Sequence, residues 1–168
     1  MKTHLVALAM LLTCSTPGLA QKISATQVPA AVCAAFADRF PSVKVLTWEK
    51  ESQQAPLVYE YETHNDFKAR DAFLSQEVYE AHFRLSGQEL SVLFTPSGLV
   101  QETETEMAFS QLPAAILASL ARDFTDYQVR EAATITKADG STVYEAGLAL
   151  AGKQQDVLFT ADGRLAAH

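Results

Sequence analysis

The chain has 168 residues, 48% of them hydrophobic and 20% charged, with a formal net charge of -7. That length suits one domain or two small half-domains, and the apolar share excludes a disordered chain. Lysine and arginine form no cluster, which argues against nucleic-acid binding, and an acidic surface favours solubility and basic partners.

Residues 1–20 read as a signal peptide. Lys2 and His4 make a short polar start, and Leu5 to Leu12 is an apolar run too short to span a bilayer. Gly18-Leu19-Ala20 places small residues where cleavage after Ala20 needs them. A rival reading is a lipoprotein signal, with Leu11-Leu12-Thr13 before Cys14; threonine just before the cysteine is unusual there. The expected location is therefore periplasmic or secreted. No later apolar stretch is long enough for a transmembrane helix. Cleavage leaves Cys33 without an internal disulfide partner. A reactive thiol or an intermolecular bridge is weighed against a buried apolar role, and the buried role is favoured.

Gln21 to Ala25 reads as an N-terminal tail. Thr26-Gln27-Val28-Pro29-Ala30-Ala31-Val32 is then matched later by Ser110-Gln111-Leu112-Pro113-Ala114-Ala115-Ile116. Both place a hydroxyl residue at a helix N-cap and a proline in the first turn, where its missing N–H costs nothing. The first helix is expected to run to about Phe40, and Pro41 stops it. Val28, Val32, Phe36 and Phe40 make one apolar stripe, and Leu112, Ile116, Leu120 and Phe124 make the other. Cys33 aligns with Leu117 beside this stripe.

Strand-rich sequence follows each helix. In the first half the expected strands are Val43–Lys50, Glu77–Leu85, Gln88–Thr95 and Leu99–Glu106. In the second they are Gln128–Lys137, Thr142–Leu150, Gln154–Thr160 and Arg164–Ala167. Val78–Gly98 and Val143–Gly163 are copies, with about half of the aligned positions identical. Tyr79, Ala81, Phe83 and Leu85 point one way; Glu80, His82 and Arg84 point the other. Tyr144, Ala146, Leu148 and Leu150 form the matching apolar face. Tyr79 and Tyr144 each lead that face, which favours core packing over ligand stacking.

The fold class is thus α+β: two tandem repeats, each a helix plus a four-stranded antiparallel sheet, with the helices on one face of one long curved sheet. The first repeat spans 21–108 and the second 109–168. The helices align at an offset of 84 and the hairpins at 65, so the first repeat carries 19 extra residues within about 51–76. This insertion contains Leu57-Val58-Tyr59-Glu60-Tyr61-Glu62, which alternates like a strand. Asn65 to Asp71 reads as a loop or one helical turn.

The order Leu-Pro-Ala-Ala-Ile, Val-Tyr-Glu-Ala, Val-Leu-Phe-Thr-Ala-Asp-Gly resembles the PepSY-like family with a β-lactamase-inhibitor-like fold. So does Glu102-Thr103-Glu104-Thr105-Glu106 ahead of Leu112-Pro113. The resemblance covers about Thr26 to Leu165. It implies an exported bacterial protein with two helix-plus-sheet units side by side. The inhibitor role does not carry over with it. True β-lactamase inhibitors of this fold carry disulfides, and no inhibitory contact residue maps onto this chain.

No nucleophile, metal-protease or phosphate-loop motif is present, so no enzyme activity, catalytic residue or cofactor is assigned. His64 and His82 share no ligand spacing, so no metal site is assigned either. Glu102, Glu104 and Glu106 fall on one strand face, where mutual repulsion favours cations or a basic partner. With Phe67 of the insertion they are the candidate partner-facing residues. The reading is an exported non-enzymatic binding module for a protein or peptide of the cell envelope, inhibition of an envelope enzyme being one form. The alternative is a small-molecule or calcium-binding periplasmic protein.

Overall fold

A computed structural model describes residues 20–55 and 74–166. Eight strands make one antiparallel sheet in sequence order. They are β1 (Gln21–Ile23), β2 (Val45–Ala55), β3 (Leu74–Leu85), β4 (Gln88–Phe94), β5 (Val100–Glu106), β6 (Gln128–Lys137), β7 (Thr142–Leu150) and β8 (Lys153–Phe159). Two helices, α1 (Ala30–Arg39) and α2 (Ala114–Asp123), precede β2 and β6. The class is α+β.

Each helix starts later than its hydroxyl residue suggests. Thr26 and Ser110 lie in short 3-10 turns, and Pro29 and Pro113 take the N-cap positions. The cause is the residue before each proline. Val28 and Leu112 are pushed into extended backbone, ψ 135 and 144, so no helix can run through them. Gln27 and Gln111 close the turns instead, their side-chain oxygens accepting from the Ser24 and Ala108 N–H groups at 2.9 Å. At the far end α1 stops at Arg39, and the Phe40 N–H donates back to the Phe36 carbonyl at 2.8 Å.

The expected stripes are the buried ones. Val32 and Phe36 enter a cluster with Trp48, Phe83 and Phe94. Phe36 meets Phe83 edge-on at 5.2 Å, a favourable aromatic geometry. Ile116 and Leu120 enter a second cluster with Ala146, Leu148 and Phe159. Cys33 packs at the border of the first cluster as Leu117 does at the second, so it fills space as a small apolar residue. Tyr79 is buried in the first cluster and Tyr144 packs against the second.

Turn chemistry is duplicated too. Ser86-Gly87 and Ala151-Gly152 join their hairpins with both residues at positive φ, which suits the strand twist. Gly98 and Gly163 are also at positive φ, and each lies under a helix. A Cβ would stand 2.6 Å from the Ala31 carbonyl oxygen at Gly98, and 2.5 Å from that of Ala115 at Gly163. Only glycine allows this approach of turn to helix.

Three expectations need correction. Gln21–Ile23 is not a tail: it pairs with β2, where it satisfies edge backbone groups and lets Ile23 pack on the first cluster. The strand expected at Arg164–Ala167 is, among the described residues up to Ala166, a single bridge between Phe159 and Leu165 after the Gly163 turn, with the Ala166 N–H reaching the Leu158 carbonyl. The insertion lengthens a hairpin, since β2 and β3 stay paired out to Ala55 and Leu74. Residues 1–19 of the expected signal peptide, the strand expected at Leu57–Glu62, the Asn65–Asp71 segment and Phe67 lie outside the described residues.

Candidate functional site

Strand alternation sorts the charges. Ala81 and Phe83 enter the first cluster, so Glu80 and His82 project from the other face of β3. Register then carries this face across the sheet. Thr47, His82, Ser91, Glu104, Ile135 and Val143 stand side by side on successive strands. Beside them run Glu49, Glu80, Leu93, Glu102 and Lys137. Glu106, Ala133, Glu145 and Leu158 form a third line, and Glu131, Gly147 and Asp156 a fourth.

The centre of this face is a cleft of about 290 Å³. Glu80, His82, Ser91, Glu104, Glu131 and Glu145 line it. Glu80, Glu104 and Glu145 are half-buried and Glu131 is exposed, and their electrostatics follow from that. Burial, then the Glu80 charge, pushes Glu104 up to about 7; Glu131 and Asp156 add to this and His82 opposes it. Burial, then Glu104, Asp156 and Glu131, pushes Glu145 up to about 7 as well. Glu51 is raised by burial and by Glu80 and Glu49.

Glu80 goes the other way. Burial favours its neutral form, but His82 and the Ser91 hydroxyl together outweigh it and hold the carboxyl below its usual range. The close Glu80 carboxylate in turn raises His82. His82 Nε2 is 3.3 Å from Glu80 Oε2 and 4.0 Å from Glu49 Oε2. These are ion-pair distances without the alignment of a hydrogen bond, and Nε2 is shielded from solvent. His82 and Ser91 both act on Glu80 to keep its carboxylate ionised. The face as a whole is equipped to hold positive charge.

Of the residues singled out in the sequence, Glu104 and Glu106 line the cleft. Glu102 lies one row away, paired with Lys137 and beside a shallow hollow with Gln101 and Asp139. The sequence reading missed Glu49, Glu51, Glu131 and Asp156. Trp48 was the available signal for two of them: an inward tryptophan puts Glu49 and Glu51 outward. Glu131 sits at a β-bulge between Val129 and Glu131, which alternation cannot foresee.

The family described as "Putative beta-lactamase-inhibitor-like, PepSY-like" matches residues 16–73 and 77–167. Among solved structures the chain is similar to one from Bacteroides eggerthii, described as "putative periplasmic proteins". The two share 20% identity over 82% of this chain and 85% of that one, with a TM-score of 0.59. It is also similar to a BLIP-like protein from Bacteroides fragilis, at 20% identity over 83% of this chain and 84% of that one, with a TM-score of 0.52. At such identities the likeness shows the fold. No curated protein matches the chain.

Proposed function

We propose that this chain, which belongs to the PepSY-like family, is an exported, non-enzymatic module that holds a basic protein or peptide segment of the cell envelope on its carboxylate face. One observation carries this reading: Glu104 and Glu145, half-buried among other acids, are both pushed up to about 7. Lysine or arginine side chains entering the cleft would ionise both and relieve the repulsion. Glu102 and Glu106 extend the surface along β5, and Phe67 is its expected apolar contact.

Export rests on the signal-like residues 1–20. In support, β1 begins at Gln21, just past the expected cleavage point, and the B. eggerthii structure is described as one of "putative periplasmic proteins". Among the described residues no helix is long and apolar enough to cross a membrane. The tandem-repeat reading, 21–108 and 109–168 with both helices on one face, draws support from the register. Val92 of the first cluster pairs with Thr103 and Thr103 with Thr136, which alternates with Ala132 of the second. Inhibition of an envelope enzyme is one form such binding would take.

The experiment is calorimetry of the mature protein with lysine- and arginine-rich peptides, alongside cross-linking in envelope extract. Binding is expected, with cross-links on β4 to β7, and it should be lost when Glu102, Glu104 and Glu106 are changed to lysine. A folded triple variant that binds as well as the parent sinks the reading.

A further inference from the structure

We propose a divalent transition-metal site of the zinc class on Glu49, Glu80 and His82. The three sit on β2 and β3, the pair with the longest run of ladder pairs in the sheet. Glu49 is directly opposite Glu80, and His82 is two residues along the same strand. Period two puts all three side chains on one face. Their donor atoms lie within 4.8 Å of one another.

The spacing suits a small cation. Ligands held at about 2.0–2.1 Å in a tetrahedron stand roughly 3.3–3.4 Å apart. Nε2 of His82 is 3.3 Å from Glu80 Oε2 and 4.0 Å from Glu49 Oε2, and a bound ion would draw the second pair closer. Glu49 and Glu80 are each only 18% exposed in their side chains, so strand packing already holds two of the donors.

A second observation is independent of the acids. The His82 side chain is 40% exposed as a whole, but its Nε2 is cut off from solvent, and among the described residues no well-aligned hydrogen-bond partner satisfies it. A shielded imidazole nitrogen 3.3 and 4.0 Å from two carboxylate oxygens is satisfied by a cation between them or by a proton of its own. Zinc would meet all three donors at once and leave a fourth position facing the cleft, the arrangement of an open site.

The donor set also selects against the hard cations. Calcium takes six to eight oxygens, and magnesium keeps an octahedron of oxygens and water. One imidazole with two carboxylates suits zinc-like metals instead. The site forms one wall of the cleft that Glu104 and Glu145 also line, but its three donors are distinct from those two carboxylates, on which the peptide-binding reading rests.

The test is zinc titration of the chelator-stripped mature protein, with calcium and magnesium in parallel. One zinc should bind per chain and raise the melting temperature, since only folded-state binding stabilises. His82→Gln and Glu49→Gln, checked for folding by circular dichroism, should each weaken binding at least tenfold, and millimolar calcium should give no shift. Imidazole nitrogen NMR on the unmutated protein gives a readout that survives a misfolded variant: the His82 Nε2 resonance must move on zinc addition. The proposal falls if zinc leaves the protein unchanged, if only other histidines respond, if both folded variants bind like the parent, or if calcium binds equally well.

Discussion

Glu80 and Glu145 hold the same position in the two related hairpins, yet their carboxyls are driven in opposite directions. The difference lies two residues on. His82 in the first hairpin corresponds to Gly147 in the second. Glu80 has an imidazole at 3.3 Å to hold its charge. Glu145 has none, and the space over Gly147 is filled by another acid, since a Cβ there would lie 2.4 Å from Glu131 Cγ. A second exchange, Ser91 in the first hairpin for Asp156 in the second, acts in the same sense, so the two together drive the equivalent glutamates apart.

Stability should therefore fall as pH rises from about 5 to 7.5. Glu104 and Glu145 bind protons more tightly folded, at about 7, than at the ordinary 4.5, so the folded state carries more protons in this window. His82, also raised, contributes stability below about 6.5 that is lost above its folded value, in the same direction. Glu80 has the opposite sign, and its contribution fades only below about 4.5 as acid neutralises it. Urea midpoints across this range should decline for the parent and decline much less for Glu104→Gln combined with Glu145→Gln, where His82 still contributes. A parent midpoint that rises with pH would refute the assignment.

The two helix-contacting glycines should be the least replaceable in the sheet. Gly98→Ala and Gly163→Ala each impose left-handed backbone, about 1–2 kcal/mol, and a clash with a helix carbonyl besides. Gly87→Ala and Gly140→Ala meet nothing within 4 Å and should show the backbone cost alone. Chemical denaturation of the four variants checks the ranking.

Core packing predicts another contrast. Phe83 is 1% exposed and touches both Phe36 and Phe40, so Phe83→Ala should cost about 3–5 kcal/mol. Leu99 is 68% exposed, and Leu99→Ala should stay within about 0.5 kcal/mol. Equal losses at the two positions would show that the first cluster is not the core it resembles.

Binding of a basic peptide should weaken with salt, because the carboxylates that attract it are only half-buried. It should also weaken below pH 6, where Glu104 and Glu145 are protonated and offer less charge. Calorimetry at two salt concentrations and two pH values tests both. An affinity indifferent to salt would point to apolar contact instead.

Much of this architecture is written in periodic residues. Stripes such as Val32-Phe36 and Ile116-Leu120, and hairpin turns such as Ser86-Gly87, depend on local chemistry, so sequence alone discloses them. The helix starts were misplaced because Pro29 and Pro113 act on the residue before them, which overrides the hydroxyl signal at Thr26 and Ser110. β1 was hidden because Gln-Lys-Ile carries no pattern until β2 offers it an edge. The cleft was legible only in pieces. Alternation points Glu104 and Glu80 outward, but only register across strands sets Glu104 beside Ser91 and Ile135. Charge coupling among residues far apart in sequence leaves no local trace.

The pairing of β5 with β6 has a mechanical consequence. Glu80, His82, Ser91 and Glu104 stand on one side of that seam, and Glu131 and Glu145 on the other. Neither hairpin forms the recess alone, so its width is set by how the two halves splay. A guest that draws the opposing walls together would act as a clasp across the seam, and strain applied to either end of the sheet would loosen its grip.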